Sequence, residues 1–249
     1  MNYFITCPPR SGSSYLGELL GLNGLPYYNE LFTPEICRRR HIWPRNLDEG
    51  LNRQVIDQVV SVPNAGFKMP YNQSQPGVYA DIQRRPFFKI IHIIREDVLE
   101  QMASWFFLQR FGVSKATSDG RLYGTDGKEA QRPQAPRLRI EPEEAREHFR
   151  AMCRMRWLSW FLYHETHEYI EIHMRDIFTP EGEETVLRFL GLYIRPRYIK
   201  RPNHVQTPRP MARDLISNFD ELQSCFADTC YKNYFTADLE NEIDTDSLF

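Results

Sequence analysis

Residues 87–94, with the sequence FFKIIHII, restrict the fold of this chain more than any other segment. A near-continuous apolar run bounded by turn residues is typical of a strand that is buried on both faces of a parallel sheet. Further strands are predicted at about residues 2–7, 65–70 and 169–174, with helical spacing between them. Since strands that alternate with helices form βαβ units, we predict an α/β fold with a central, mostly parallel sheet flanked by helices.

The helices are predicted from apolar residues that recur at a spacing of three and four. They cover about residues 13–22, 48–61, a segment capped by Asp97, 141–167, and 179–192 with Thr179 as its cap. In the helix 141–167, Trp157, Trp160 and Phe161 are interpreted as core aromatics.

Length and composition favour a single domain. A chain of 249 residues with 41% hydrophobic residues is long enough for one large α/β domain that spans residues 1–249. Residues 112–140 are rich in Gly, Asp, Lys, Arg, Gln and Pro, which predicts a long mobile loop or lid with little core. Residues 225–249 form a C-terminal tail to which the sequence assigns no role.

Charge and cysteine usage exclude several classes of protein. A net charge of −2 argues against bulk affinity for nucleic acid or for an anionic membrane. The five cysteines are scattered and lack metal-ligand spacing, which favours reduced thiols in the cytosol. The sequence shows no secretory leader pattern and no run of the ~18 apolar residues that a membrane span needs. We therefore expect a cytoplasmic protein.

The first predicted strand leads through CPPRSGSSYL, residues 7–16, into a predicted helix. Free backbone N–H groups at the start of a helix bind anions, so this turn is a candidate anion site. Gly12 lets the backbone approach a ligand closely, and Ser13 and Ser14 add hydroxyl donors. Arg10 provides a forked guanidinium suited to phosphate. The alternative is an ordinary turn with a serine cap and with Arg10 in solvent.

A second candidate anion site follows the apolar strand. Arg95 comes directly after that strand, and Ser104 lies nine residues later. Because ligands of parallel sheets bind outside the carboxyl ends of the strands, the two sites together indicate a ligand with two separated anionic groups. The alternative for Arg95 is an ion pair with a nearby acid.

These segments resemble the sulfotransferases that use 3′-phosphoadenosine 5′-phosphosulfate (PAPS), nearest to the bacterial carbohydrate type that acts on trehalose or Nod factors. The resemblance is carried by RSGSS (10–14), GFKMPYNQ (66–73), IIREDVLEQMASWF (93–106) and FTPEGEETVLRFLGL (178–192). It implies a P-loop-like three-layer fold. It also implies donor-binding residues, which are Arg10, Ser11, Gly12, Ser13, Ser14 and Tyr15 for the 5′-phosphosulfate and Arg95 and Ser104 for the 3′-phosphate.

The loop departs from the nucleotide-kinase pattern G-x-x-x-x-G-K-[ST] in a way that fits this resemblance. Cys7 stands in place of the first glycine, and Ser13 in place of the lysine. A triphosphate needs Mg²⁺ and lysine to neutralise the transferring phosphoryl group, whereas a sulfuryl group carries less charge. The resemblance therefore implies PAPS as donor and 3′,5′-ADP as product, and we expect no metal.

The family resemblance also implies a glutamate base shortly after the first helix, which would accept the proton of the acceptor hydroxyl. Glu30 lies at the matching distance, and Glu35 is its rival. Lys68 would contact the sulfate, the bridging oxygen or the acceptor, or is a plain exposed lysine. Arg201, in a Pro-rich loop, is expected to join the 3′-phosphate site.

The sequence thus predicts an enzyme that moves the sulfuryl group of PAPS to a hydroxyl of a carbohydrate or glycolipid, with Glu30, Arg10 and Lys68 at the catalytic centre. One alternative is a degenerate P-loop kinase, which would require Mg²⁺ and ATP. Another is a non-catalytic protein of the same fold that binds the nucleotide without turnover. Neither a nucleic acid nor an integral membrane segment is predicted, and the sequence is compatible with a homo-oligomer.

Overall fold

A computed structural model describes residues 1–31, 49–71, 76–111, 113–116, 122–124, 129–130, 138–202 and 212–235. The chain divides into two compact units. The first unit contains residues 1–95 and 154–202, and the second contains residues 96–153 and 203–249. The prediction of one domain over residues 1–249 stays a prediction.

Strands and helices are numbered in chain order. The strands are β1 (Asn2–Cys7), β2 (Tyr27–Glu30), β3 (Gly66–Pro70), β4 (Phe88–Ile94), β5 (Val113–Ala116), β6 (Leu122–Gly124), β7 (Glu129–Ala130) and β8 (Glu168–His173). The helices are α1 (Ser13–Leu22), α2 (Glu49–Val60), α3 (Pro76–Gln83), α4 (Val98–Phe111), α5 (Pro142–Tyr163), α6 (Pro180–Phe189), α7 (Ala212–Leu215) and α8 (Phe219–Phe226). The predicted strands and helices that carry the candidate anion sites all form, with ends shifted by a few residues.

The first unit is built on a five-stranded sheet in the order β2-β3-β1-β4-β8. All its neighbouring strands pair in parallel, which confirms the predicted sheet. β1 lies at the centre, so the chain first adds strands on one side of β1 and later on the other. The end of β1 is therefore at a topological switch point, where parallel sheets commonly bind ligands.

Helices cover both faces of this sheet and complete the predicted three-layer arrangement. On one face, apolar residues of α1 and α6 such as Leu16 and Leu187 pack on Ile5 of β1. On the other face, α2, α3 and the end of α5 pack on Phe4 and Phe67. Successive residues of a strand point to opposite faces, so β1 and β3 contribute side chains to the hydrophobic cores on both faces. The confirmed fold is α/β with a central parallel sheet flanked by helices.

A buried polar chain crosses the second of these faces. The hydroxyl of Tyr71 is hydrogen-bonded to Nε2 of His92, whose Nδ1 lies 2.5 Å from the hydroxyl of Tyr169. Tyr169 in turn donates to Oε1 of Glu171 at 2.7 Å. Burial lowers the pKa of His92, so the imidazole is neutral. Burial alone would raise the pKa of Glu171, but hydrogen bonds from His92 and Tyr169 bring it down to about 2.

The second unit has its own core, built from α4, the first half of α5, α7 and α8. Residues 112–140, predicted as a loop with little core, contain the strands β5, β6 and β7, which form a small antiparallel sheet. Leu138 and Ile140, at the end of that segment, are buried in the core. The prediction is wrong in these parts because backbone pairing builds strands there without an apolar pattern in the sequence.

The first part of the C-terminal tail also belongs to this core. Phe226 and Phe235 are both buried, and their rings stack at a centroid distance of 5.5 Å. Residues 225–235 therefore have a structural role that the sequence did not predict. Residues 236–249 lie outside the described residues.

The aromatic residues of the α5 segment in the first unit depart from the sequence interpretation. Trp157, Trp160 and Phe161 are 43%, 42% and 59% exposed, so they are not core residues. They share a helix face at a spacing of three and four residues, and the opposite face buries Ser159 and Tyr163. Helical periodicity shows that one face is apolar, but it does not show which face meets the sheet.

The start of α6 shows how local sequence fixes an element close to the candidate site. The hydroxyl of Thr179 accepts the backbone N–H of Gly182 at 3.1 Å, as its predicted capping role requires. A Cβ at Gly182 would lie 1.9 Å from the backbone oxygen of Asp176, so this turn admits only glycine.

Among the described helices, none combines the length and the apolar character that a membrane crossing demands.

Candidate functional site

The candidate site is the loop between β1 and α1. Gly12 caps α1 with a left-handed backbone, at φ 75° and ψ 5°. A Cβ on Gly12 would lie 2.9 Å from side-chain atoms of Ile177 and Phe178. Since both the backbone angle and the limited space exclude a side chain, the sharp turn into the helix depends on glycine.

Hydrogen-bond donors in this loop have no acceptor in the described part of the chain. α1 begins without a side-chain cap, and the N–H groups of Ser13, Ser14 and Tyr15 bond to no described backbone or side-chain oxygen. The Oγ atom of Ser11 is buried and, among the described residues, has no hydrogen-bond partner. Buried polar groups such as the Ser11 hydroxyl are nearly always paired in a native protein, and free N–H groups at a helix start bind anions, so the loop is suited to a ligand with acceptor oxygens.

Arg10 and Arg95 connect the loop to the end of β4. Arg10 has a positive φ of 67°, which is uncommon for a residue with a side chain and occurs at constrained functional loops. Its carbonyl oxygen accepts a hydrogen bond of 2.5 Å from Nη1 of Arg95. The two arginines predicted for separate anion sites are therefore neighbours, and Arg95 helps to hold the strained loop.

Lys68 is a buried lysine that extends from β3 into the loop. It is 2% exposed, and its Nζ donates to Oγ of Ser14 at 2.8 Å and to Oγ of Ser13 at 3.4 Å. The register of β1 and β3 places Lys68 beside Ile5, on the α1 face of the sheet. An ammonium thus occupies the neighbourhood of Ser13, which stands at the lysine position of the kinase pattern. The alternative of a plain exposed lysine is wrong.

Glu30 ends β2, and its backbone pairs with that of Lys68 across the two strands. The ladder shifts register between Tyr28 and Glu30, which marks an irregularity at that strand end. The side chain of Glu30 lies outside the described residues, as does all of Glu35. The pairing brings the predicted base into the strand beside Lys68, a proximity that the sequence did not predict.

Arg201 reaches the site through a residue that the sequence reasoning missed. Its Nε donates to Oε2 of Glu183 at 2.7 Å, and Tyr15 donates to Oε1 of the same carboxylate at 2.5 Å. Burial, followed by the hydrogen bond and the charge of Glu183, raises the pKa of Tyr15, so the phenol stays protonated and remains a donor. No sequence signal distinguishes Glu183 from the other acids of the segment EGEE.

Ser104, predicted for the 3′-phosphate, is a residue of α4 in the second unit, where it is 8% exposed. Within the first unit, the structure brings Arg10, Lys68 and Arg95 together with the serines of the loop, and Arg201 connects to Tyr15 through Glu183. In the described ranges, no three His, Cys, Asp or Glu side chains are arranged to hold a metal ion.

The arrangement in the first unit suits a bound oxyanion. Backbone N–H groups, serine hydroxyls and the Lys68 side chain all provide hydrogen-bond donors at this loop. Lys68 is 2% exposed, and charge interactions of a buried side chain are screened less than those at a surface. Such a cradle stabilises negative charge on transferring or leaving oxygens.

Comparison with known proteins gives similarity at the level of fold. No protein-family model and no curated protein matches the sequence. A sulfotransferase structure from Alicyclobacillus acidocaldarius aligns with a TM-score of 0.50 and 15% identity, over 97% of this chain and 96% of that one. Mouse sulfotransferase SULT7A1 complexed with PAP gives a TM-score of 0.43 and 14% identity, over 94% of this chain and 87% of that one. Shikimate kinase from Bacteroides thetaiotaomicron gives a TM-score of 0.45 and 14% identity, over 77% of this chain and 99% of that one.

Proposed function

We propose that this protein is a sulfotransferase that moves the sulfuryl group of PAPS to a hydroxyl of a carbohydrate or glycolipid. The proposal is carried by the position of Lys68. Its Nζ lies 2.8 Å from Oγ of Ser14, in a loop that has no lysine of its own. The loop therefore has an ammonium for an oxyanion although it lacks the kinase sequence. The motif resemblance and the shared fold of the Alicyclobacillus sulfotransferase favour phosphosulfate as that oxyanion.

The proposed roles in donor binding follow from the contacts of the loop. N–H groups at the start of α1 and the hydroxyls of Ser11, Ser13 and Ser14 hold the 5′-phosphosulfate. Arg10 contributes a guanidinium at the same loop, and Arg95 supports its backbone at 2.5 Å. We retain Arg95, Ser104 and Arg201 as proposed ligands of the 3′-phosphate.

In the proposed reaction, the acceptor hydroxyl attacks sulfur in line with the bond from sulfur to its bridging oxygen. The new S–O bond forms as the bridging bond breaks, and its electron pair leaves with 3′,5′-ADP. Glu30 takes the proton of the hydroxyl, and the Lys68 ammonium stabilises charge on the bridging and sulfuryl oxygens. The backbone pairing of Glu30 with Lys68 supports placing the base and the ammonium at the same reacting centre.

The donor is tested by binding. We expect thermal stabilisation by 3′,5′-ADP, which is the product common to all PAPS-dependent transfers, and none by ATP with Mg²⁺ at the same concentration. A clear preference for ATP would contradict the proposal and favour phosphoryl transfer. Labelled PAPS is then offered with a panel of glycans and glycolipids. Binding of 3′,5′-ADP without transfer to any acceptor would indicate a non-catalytic protein.

The base is tested by a matched pair of variants. Glu30→Gln keeps the shape of the side chain and removes its basicity, so we expect sulfuryl transfer to fall about 10²- to 10⁴-fold while 3′,5′-ADP binding is unchanged. Glu35→Gln, five positions later, is the control that leaves transfer intact. The reverse pattern would assign the base to Glu35.

We also propose a cytoplasmic location. The cysteines that the structure describes, Cys7, Cys153, Cys225 and Cys230, are all free thiols. Free thiols persist in a reducing compartment.

A further inference from the structure

Glu183 is a buried carboxylate beside the candidate donor site. It lies on α6 and is 1% exposed. A buried charge is unfavourable unless it is paired and hydrogen-bonded, and here each carboxylate oxygen has a partner. Oε1 accepts the hydroxyl of Tyr15 at 2.5 Å, and Oε2 accepts Nε of Arg201 at 2.7 Å.

Only one of the five N–H donors of Arg201 is used by this pair. The bond to Glu183 is made through Nε, and the two terminal amino groups have no partner among the described residues. The guanidinium is planar, so a bond at Nε restricts the direction in which the amino groups point. The Arg201 side chain is 41% exposed, which leaves those groups accessible to a ligand.

The pair is attached to the loop through the first turn of α1. Tyr15 is the third residue of that helix, and its ring lies 4.7 Å from the ring of Phe178, the residue that packs against Gly12. A second anchor lies one position earlier in the chain than Arg201. The side chain of Asn23 bonds both the backbone oxygen and the backbone N–H of Lys200, at 2.8 Å and 3.0 Å.

We infer that Glu183 is a positioning residue of the donor site, which holds Arg201 so that its two amino groups face the 3′-phosphate of the nucleotide. Tyr15 fixes the other oxygen of Glu183 and thereby couples Arg201 to the phosphate-binding turn. This inference rests on the proposed function, since it takes 3′,5′-ADP as the ligand of the loop. The assignment concerns a carboxylate that touches no ligand and acts through the arginine.

The charge of the pair of Glu183 and Arg201 decides which binding measurement shows the role of Glu183. Glu183 and Arg201 together have no net charge, so the contribution of Glu183 is the direction of the guanidinium and not attraction of the anion. Removing the carboxylate leaves Arg201 charged but free to rotate. Glu183→Gln should therefore reduce discrimination in favour of a 3′-phosphate more than it reduces general affinity for nucleotides.

The test is calorimetric titration with 3′,5′-ADP and with 5′-AMP, which differ by the 3′-phosphate alone. The quantity compared is the ratio of the two dissociation constants within each variant, because that ratio does not depend on the folded fraction. We expect Glu183→Gln to lower the preference for 3′,5′-ADP roughly tenfold and to leave 5′-AMP binding within about twofold. Tyr15→Phe keeps the ring contact with Phe178 and should give a smaller loss.

The neighbouring residue provides the control. Glu184 also lies on α6 and pairs with an arginine, Arg188, at 2.5 Å on the exposed side of the helix. Glu184→Gln should leave the ratio unchanged. If Glu183 acts through Arg201, the double variant Glu183→Gln/Arg201→Ala should lose no more preference than Arg201→Ala alone.

The outcomes separate this inference from the proposed function. Wild-type protein that binds no 3′,5′-ADP would refute the proposed function, and the inference with it. Wild-type protein that prefers 3′,5′-ADP, together with a Glu183→Gln variant of unchanged preference, would refute the positioning role alone. Additive losses in the double variant would also refute it, because they would show that Glu183 acts without the arginine.

Discussion

Replacing Lys68 by methionine tests whether the ammonium in the loop binds the donor. Methionine keeps an unbranched side chain of similar length but carries no charge and no N–H group. In the structure Lys68 is 2% exposed, and its Nζ donates to Ser14 at 2.8 Å and to Ser13 at 3.4 Å, so the side chain is buried within the loop.

The size of the effect follows from that geometry. A hydrogen bond to a charged group contributes about 1.5–3 kcal/mol. Because about 1.4 kcal/mol corresponds to a tenfold change in dissociation constant, Lys68→Met should weaken 3′,5′-ADP binding roughly 10- to 100-fold. The wild-type affinity should also fall more steeply with added salt than the affinity of the variant.

Isothermal titration with 3′,5′-ADP is the assay, and Lys89→Met is the matched control. Lys89 lies in β4 of the same sheet, where Nζ pairs with Glu168 and with the backbone oxygen of Phe189, each at 2.7 Å. The control should change stability only, since those partners are structural. If Lys68→Met is folded and binds 3′,5′-ADP within twofold of wild type, the ammonium is not a donor ligand and the main support for the proposed function is lost.

Three further predictions concern the loop and the sheet. Gly12→Ala should lower the free energy of unfolding by roughly 1–3 kcal/mol and abolish 3′,5′-ADP binding. Gly21→Ala is the control, because its Cβ would meet nothing within 4 Å, and it should be neutral or stabilising. Urea denaturation compares the stabilities of the two variants. Arg95→Ala should weaken 3′,5′-ADP binding at least about tenfold in titrations, and unchanged affinity would contradict its assignment. The free energy of unfolding should fall as the pH drops below about 6.5, because burial lowers the pKa of His92 while Glu171 keeps a pKa of about 2. The unfolded chain then binds more protons than the folded chain, and denaturation at several pH values measures the slope.

The central sheet could be predicted from sequence because its signal is local. The run in residues 87–94 is apolar at nearly every position, and β4 occupies most of it. The turn at Gly12 and the cap at Thr179 are also local, since each depends on a few consecutive residues. Such features are fixed by backbone preference and short-range hydrogen bonds.

The features that could not be predicted depend on distant pairing. β2 has only four residues, YYNE, and no apolar alternation, so its strand character comes from bonding to β3. Lys68 and Ser14 are 54 positions apart in sequence, and Tyr15 and Glu183 are 168 apart. Single-sequence patterns carry no information on which of several lysines or acids reaches the loop.

The pairing of β1 with β3 makes the position of Lys68 depend on the correct register of the sheet in the first unit. A shift of β3 by one residue would turn Lys68 to the opposite face, since successive strand residues alternate between faces. A chain in which the β1 turn and α1 had formed but β3 was unpaired or out of register would have the loop without its ammonium. If the loop binds a nucleotide as proposed, only molecules in which β3 is paired in register would bind it tightly, and nucleotide affinity measured during refolding would report when β3 joins the sheet.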